Sequence, residues 1–307
     1  MCINNQQTTT LTKSQAQKIK TFKAGSKVSN VNFEGALTNE LIVIKIGGSM
    51  LKSEEAMVSL LTEVAILAET GAKLVLVHGG GPAISEALNA AGDQPHFVEG
   101  LRVTDDKVLG IAQTVLDGLN GQLVEHLNNL GINATSVNSK TEDVLTATKK
   151  FIHCSSGASL DIGYVGEITS VNDIALKELV ENSLPVVASL AVDASGQLYN
   201  INADNVAMAI AVALGADKLV YITDVPGIMM DKNVIPKVIV DEVSVLIESG
   251  IISGGMIPKV RSCVSGIKKG IGSILIGSAD NNGDLLAAIM KPGSSGTLIV
   301  DETPVAA

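Results

Sequence analysis

Lys45 stands inside an otherwise apolar run, Leu41-Ile-Val-Ile-Lys45-Ile46, and the chain then turns at Gly47-Gly48-Ser49. A second apolar run, Leu74-Val-Leu-Val-His78, breaks into Gly79-Gly80-Gly81-Pro82. Strands that end in glycines ahead of a helix leave backbone N–H groups free, and these face whatever anion sits at the helix N-terminus. A lysine buried in a strand needs a partner. It reads either as paired with a structural carboxylate or as aimed at phosphate, and the adjacent glycines favour phosphate. Three consecutive glycines lose much backbone entropy on ordering, which favours close approach to a ligand over a plain flexible turn. Two such cradles in succession suit a reaction that brings a nucleotide phosphate against an anionic acceptor.

Three further clusters carry candidate chemistry. Gly100-Leu-Arg102-Val-Thr-Asp105 places a lone arginine before a helix, either as a fork-shaped carboxylate clamp or as a helix-start salt bridge. Asn200-Ile-Asn202-Ala-Asp204 precedes an apolar helix, and Asp204 reads as a capping acid or as a functional one. Ser253-Gly254-Gly255-Met256-Ile-Pro-Lys259 is a third glycine turn, with a second candidate phosphate lysine one helical turn on. None of these is GxGxxG or GxxxxGK[ST], which disfavours a dinucleotide site and excludes a P-loop by pattern. Cys2, Cys154 and Cys263 form no CxxC pair, and His78, His96, His126 and His153 show no metal-ligand spacing. The expectation is free thiols in a reducing cytoplasm, no metal centre, and His78 as a structural hydrogen-bonder.

The elements that must position these residues are legible in outline. With 307 residues, 46% of them hydrophobic, the chain can build one large α/β domain or two lobes. A net charge of −10, four Phe, three Tyr and no Trp argue against nucleic-acid and membrane surfaces. The longest apolar stretch, 206–214, is too short to span a bilayer. Residues 1–33 hold five Lys and no Asp or Glu, without a secretory apolar core, and residues 1–38 read as an extension with a short helix near 12–23. Strands are expected near 41–46, 73–77, 134–137, 184–188, 218–222, 273–276 and 296–300. Helices are expected at 53–70, from 82, at 105–130 with Thr104 as N-cap, and near 171–181, 204–214, 243–249 and 256–269. The segment 141–169 reads as hairpin-forming strands broken at Gly157, Gly163 and Gly166, and 223–227 as a turn. Such alternation indicates a parallel sheet covered on both faces, with ligands at the carboxyl ends of its strands.

The ordered set IKIGGSML, VHGGGP, GLRVTD, YNINAD, ITDVPGI and GIISGGMIPK resembles the N-acetyl-L-glutamate kinases of the amino acid kinase family. That resemblance covers about residues 40–300 and implies a three-layer α/β/α sandwich with a mainly parallel central sheet. It implies an amino-acid-binding and dimerisation lobe at about 39–190 and an ATP lobe at about 191–307. The implied reaction, in arginine biosynthesis, moves the ATP γ-phosphoryl group to the side-chain carboxylate of N-acetyl-L-glutamate. Carried over by motif, Lys45 and Lys259 stabilise the phosphoryl group in flight and Asp204 orients them. Gly47, Gly48 and Gly80 offer N–H groups to phosphate oxygens, while Gly80, Gly81, Arg102 and Asn200 hold the acetylated substrate. The turn Thr223, Asp224, Val225, Pro226, Gly227, Ile228, Met229 and the segment with Ile251, Ile252, Ser253 and Gly255 resemble the nucleotide pocket.

A carboxylate acceptor is already ionised near neutral pH, so no general base is required. Mg²⁺ would be held mainly by ATP phosphates and water, without a protein ligand. The family expectation is a homodimer, or a hexamer through the N-terminal extension. Two segments depart from the family: 137–143 lacks a GKDG-like sequence, and the tail Lys291-Pro-Gly-Ser-Ser-Gly296-Thr297 lacks acidic residues, which leaves arginine feedback open with the balance slightly against it. The alternatives are a sister kinase for another acylated dicarboxylate, a catalytically dead sensor of the same fold, and a dinucleotide-dependent oxidoreductase. Joint retention of Lys45, Asp204 and Lys259 speaks against the sensor, and the missing GxGxxG against the oxidoreductase.

Overall fold

The computed structural model describes residues 35–48, 50–51, 53–141, 144–153 and 159–302. The expected N-terminal helix, Ser49, Cys2, Cys154 and the break at Gly157 lie outside the described residues. The first half of the chain runs β1 (Leu41–Ile46), α1 (Glu54–Glu69), β2 (Lys73–His78), α2 (Gly81–Ala90), β3 (Phe97–Val98), β4 (Leu101–Arg102), α3 (Asp106–Asn129) and β5 (Ala134–Val137). It continues through β6 (Leu145–His153), β7 (Ser159–Val171), α4 (Asp173–Asn182), β8 (Leu184–Ala188), β9 (Leu190–Val192), β10 (Leu198–Ile201), α5 (Ala203–Leu214) and β11 (Lys218–Ile222). Next come β12 (Met229–Met230), β13 (Asn233–Val234), β14 (Lys237–Ile239), a 3₁₀ turn Val240–Glu242, and α6 (Val243–Glu248). The remaining elements are α7 (Met256–Lys268), β15 (Ser273–Gly277), α8 (Asp284–Met290) and β16 (Thr297–Val300).

Eight strands form the central sheet in the order β14-β16-β15-β11-β1-β2-β8-β5. All neighbours are parallel except β15 and β16. The parallel strands read as near-continuous apolar runs because both of their faces are covered. On one face Ile42, Ile44 and Ile46 pack with Leu60, Leu61, Leu123 and Leu286 of α1, α3 and α8. On the other, Val43, Val75 and Val77 pack with Leu176, Val206, Ile210 and Val260 of α4, α5 and α7. Each fully buried isoleucine or valine contributes about 1.5–3 kcal/mol, which makes β1 the energetic spine of the molecule. The α/β/α sandwich is the architecture expected from the strand and helix alternation.

A second sheet, β10-β7-β6-β9, closes into a small barrel beside β8 and α5. The hairpin β6–β7 was anticipated; its closure by β9 and β10 was not. Gly163 has φ +82°, and a Cβ there would lie 2.0 Å from the carbonyl oxygen of Thr104. Thr104 is drawn into pairing with this barrel: its N–H donates to Ile162 O at 2.9 Å, and its carbonyl accepts from Tyr164 N at 2.6 Å. It therefore does not cap α3. Asp105 takes that place, its side chain accepting from Val108 N at 2.8 Å. The short helix α8, also unanticipated, is capped from across the structure. Its N-cap is Gly283, which offers no side chain, and buried Glu63 of α1 accepts from Gly283 N at 3.0 Å and Leu286 N at 2.9 Å.

Burial drives the Glu63 carboxyl from 4.5 up to about 7; the N–H groups of Leu286 and Gly283 pull it partly back, while Asp284 adds to the rise. Folded protein then keeps this proton up to about pH 7, whereas the unfolded chain releases it near its ordinary value. Stability is expected to fall by up to about 3 kcal/mol as pH rises from 4.5 to 7 and to level above that. Urea unfolding across this range should show the slope in wild type and lose it in Glu63→Gln; an unchanged slope in the variant would assign it elsewhere. Gly163→Ala is expected to cost about 3 kcal/mol, since neither the left-handed backbone nor the Thr104 carbonyl leaves room for a methyl group. A wild-type urea midpoint for Gly163→Ala would contradict that close approach.

Candidate active site

Chain order reverses at β1, which has β2 on one side and β11 on the other. In an open α/β sheet the crevice outside the carboxyl ends at such a switch point is where ligands bind. Three loops meet there: Gly47–Gly48 after β1, Gly79–Gly80 after β2, and Thr223 onward after β11. A cavity of about 290 Å³ opens beside them, and Lys45, Gly48, Gly80, Gly81, Arg102, Asn200 and Asp204 all line it.

One end of the site is ionic. Asn202 caps α5, its side chain accepting from Asp204 N at 2.9 Å, which leaves Asp204 in the first helical turn with its carboxylate free to face the sheet. One carboxylate oxygen pairs with Lys45 Nζ at 2.9 Å and the other with Lys259 Nζ at 2.5 Å. Burial pushes the Asp204 carboxyl up, but the two ammonium groups outweigh it and hold the group below the ordinary carboxylate range. Lys45 reaches this point from the centre of the sheet and Lys259 from the first turn of α7, whose N-cap Gly255 supplies no capping side chain.

The glycines differ in what they have left to offer. Gly47 N donates to Ile222 O at 3.0 Å, so its N–H is spent on the β1–β11 junction rather than left for phosphate. The turn needs that ladder bond more than it needs a third donor. Gly48 lies against α2: a Cβ there would come 2.6 Å from Pro82 Cδ and 3.2 Å from Gly81 N. At Gly80 a Cβ would meet Leu116 at 2.8 Å. A side chain at Gly48 would have to displace Pro82 and crowd the Gly81 backbone, one at Gly80 would have to displace leucine side chains of α3, and Gly80 begins a helix with no side-chain cap. Helix N-termini of this kind attract anions. His78 beneath the loop is fully buried, which lowers its pKa to about 4 and keeps the ring neutral. Its Nδ1 donates to Gly79 O at 3.1 Å, and its Nε2 accepts from Asn120 Nδ2 at 3.1 Å, the structural role expected from sequence.

The same cavity is also lined by a guanidinium. Arg102 is 7% exposed and donates through Nη2 to Gly81 O and to Ser85 Oγ, both at 2.8 Å. Nη1 is buried and has no hydrogen-bond partner among the described residues. The guanidinium stacks on the Phe97 ring, 4.7 Å from its centroid. Phe97 and Arg102 face each other across a two-residue hairpin whose central residues, Glu99 and Gly100, both have positive φ (47° and 77°). Asn200 Nδ2 lies 3.4 Å from Thr104 Oγ1, the acceptor of a long hydrogen bond.

The remaining expected residues lie outside this cavity. Thr223, Asp224, Val225, Pro226 and Met229 form a surface turn, and Ile251, Ser253 and Gly255 a second surface segment before α7. Gly227 (φ 148°) is buried against Thr297, and Ile228 and Ile252 belong to the core. The side chains of those two isoleucines are therefore unavailable to a ligand. Phe97, Ser85 and Tyr221 escaped the sequence reading. The Glu99-Gly100 pair between Val98 and Leu101 was the available hairpin signal for Phe97; the contacts of Ser85 and Tyr221 arise only from tertiary packing. Among the described residues no cluster of three His, Cys, Asp or Glu side chains could hold a metal ion, and no helix is long and apolar enough to cross a membrane.

Comparison with known proteins identifies the family. The sequence profile of the amino acid kinase family matches residues 40–278. The acetylglutamate kinase of Clostridium acetobutylicum is 39% identical over 260 residues, covering 83% of this chain and 88% of the relative. That of Koribacter versatilis is 40% identical over 262 residues, covering 84% and 98%. Among solved structures, Giardia lamblia carbamate kinase bound to citric acid superposes with a TM-score of 0.61 at 15% identity, over 86% of this chain and 99% of that one. N-acetylglutamate synthase from Neisseria gonorrhoeae, complexed with coenzyme A and L-arginine, gives a TM-score of 0.73 at 22% identity, over 94% of this chain and 65% of that longer one. At those identities the two structures speak to the fold alone, while the two kinases share both sequence and length with this chain. The chain belongs to the amino acid kinase family and is an enzyme of the acetylglutamate kinase type.

Proposed function

We propose that the protein phosphorylates the side-chain carboxylate of N-acetyl-L-glutamate with MgATP, forming the acyl phosphate used in arginine biosynthesis. The observation that carries this reading is the Asp204 carboxylate held between Lys45 and Lys259, with Asp204 and Lys45 lining the same cavity as a buried arginine whose Nη1 has no hydrogen-bond partner among the described residues. The names of the relatives point to the same acid. Arg102 Nη1 would take the α-carboxylate of the substrate, and Asn200 would orient the acetylated amine, leaving the side-chain carboxylate to point toward Lys45. That carboxylate is ionised at neutral pH, so the cavity needs no base.

Lys45 and Lys259 would neutralise charge on the transferring phosphoryl oxygens, and the N–H groups of Gly48 and Gly80 would add donors at the helix start. Asp204 would hold both ammonium groups in place between turnovers. Among the described residues the aspartate lining the cavity has both carboxylate oxygens engaged by lysines, which favours a Mg²⁺ ion held by nucleotide and water. The ion would arrive on the nucleotide as part of the substrate. The nucleotide would lie along the C-terminal half, about 191–307, between the turn Thr223–Met229 and the N-terminus of α7, with the amino acid held by the half before it.

A hydroxylamine trap with MgATP tests the reaction, since acyl phosphates yield hydroxamates. Signal is expected with N-acetyl-L-glutamate and not with glutamate, N-acetylaspartate or N-acetyl-2-aminoadipate. Turnover of another acid would replace the substrate assignment, and no turnover with any acid would remove the reaction. Lys259→Ala is expected to lower kcat by ~10²–10³, the scale of one preorganised electrostatic donor, and near-normal turnover would sink that role. Arg102→Ala should raise the KM for the amino acid by roughly 10–100-fold with a smaller change in kcat. A change confined to the KM for ATP would place Arg102 at the wrong end of the site.

A further inference from the structure

Tyr221 lines no part of the cavity, yet it touches the ionic cluster at two points. It is 1% exposed and is the bulkiest of the fully buried side chains among the described residues. On β11 it stands in register with Lys45 of β1, and both lie on the sheet face covered by α5 and α7. Its ring lies beneath Lys259, with Nζ 4.8 Å from the ring centroid. Its hydroxyl donates to the backbone oxygen of Asp204 at 3.2 Å. The N–H of Asp204 is already tied to Asn202. Cys263, one turn beyond Lys259, is buried in the same core cluster.

A buried tyrosine hydroxyl needs a partner, and an aliphatic residue would fill the volume without that demand. An aliphatic floor would also give no attraction for an ammonium group. A second carboxylate would attract Lys259 but cancel its charge. The face of an aromatic ring attracts a cation through its quadrupole and leaves the charge intact. We propose that Tyr221 is a positioning residue for phosphoryl transfer, its ring fixing the Lys259 ammonium, while its hydroxyl bond to Asp204 only satisfies the buried O–H. This assignment rests on the reaction proposed above.

The test uses the full chain as wild type, Tyr221→Phe and Tyr221→Leu, with lysine labelled at Cε and Lys259 assigned through Lys259→Arg. Protons above a ring face resonate upfield. The Lys259 Hε signals should be upfield in wild type and Tyr221→Phe and normal in Tyr221→Leu. In the hydroxamate assay, kcat should stay within about threefold of wild type in Tyr221→Phe, and fall about tenfold in Tyr221→Leu with both KM values little changed. An unshifted Lys259 in wild type, wild-type kcat in Tyr221→Leu, or equal losses in both variants would overturn the assignment. If Tyr221→Leu does not fold, the wild-type and Tyr221→Phe spectra still decide it. If wild type makes no hydroxamate, the reaction is wrong, and the lysine resonance judges the contact by itself.

Discussion

One carboxylate holds two lysines at the centre of this molecule, and much of the fold is arranged to make that contact possible. Lys45 comes up through the middle strand of an eight-stranded sheet, a position where an unpaired ammonium is costly. Lys259 comes from a helix on one face of that sheet, and Asp204 from the start of another. The cluster sums to one excess positive charge in a protein whose net charge is −10. Removing the aspartate would leave two ammonium groups facing each other at low dielectric. The acidic surface and the basic crevice are compatible because this balance is local.

The glycine loops around the cluster follow from the same crowding. β1, β2 and β11 deliver their carboxyl ends into one small region, where Gly48 meets the proline that opens α2 and Gly80 meets the side chains of α3. Their lack of side chains is therefore a packing requirement as well as a means of exposing N–H groups. His78 sits below with a neutral ring, joining the loop to Asn120 and, through Asn120, to Val186 on the neighbouring strand. A charged group there would compete with the lysines above it; a neutral one only holds the backbone.

The inner parallel strands β1, β2, β8, β11 and β15 were readable because burial on both faces turns each into a short apolar run that ends where glycine or a polar residue begins; the edge strand β14 was not anticipated. Lys45, Asp204 and Lys259 were readable one at a time as residues that break a local rule: a charge in a strand, an acid at a helix start, a lysine behind glycines. Their meeting was implied by resemblance and is now visible as distances. What the sequence hid depends on partners distant along the chain. Thr104 looked like a cap until the barrel claimed it, and Gly47 looked like a donor until Ile222 claimed its N–H. β9 and β10 are too short to announce themselves, and their pairing with β6 and β7 makes the barrel. α8 lacks any capping side chain of its own, because Glu63 provides the cap from far away in sequence.

Arg102 is tied to the carbonyl of Gly81, and Gly81 follows the strand that pairs, residue by residue, with the strand carrying Lys45. Arg102 and Lys45 are thus both referenced to the same two adjacent strands. In the proposed reaction this makes the sheet a ruler: the backbone from which both substrate-facing side chains are held is fixed by strand register, so an acid one methylene shorter or longer meets a frame graduated by hydrogen bonds.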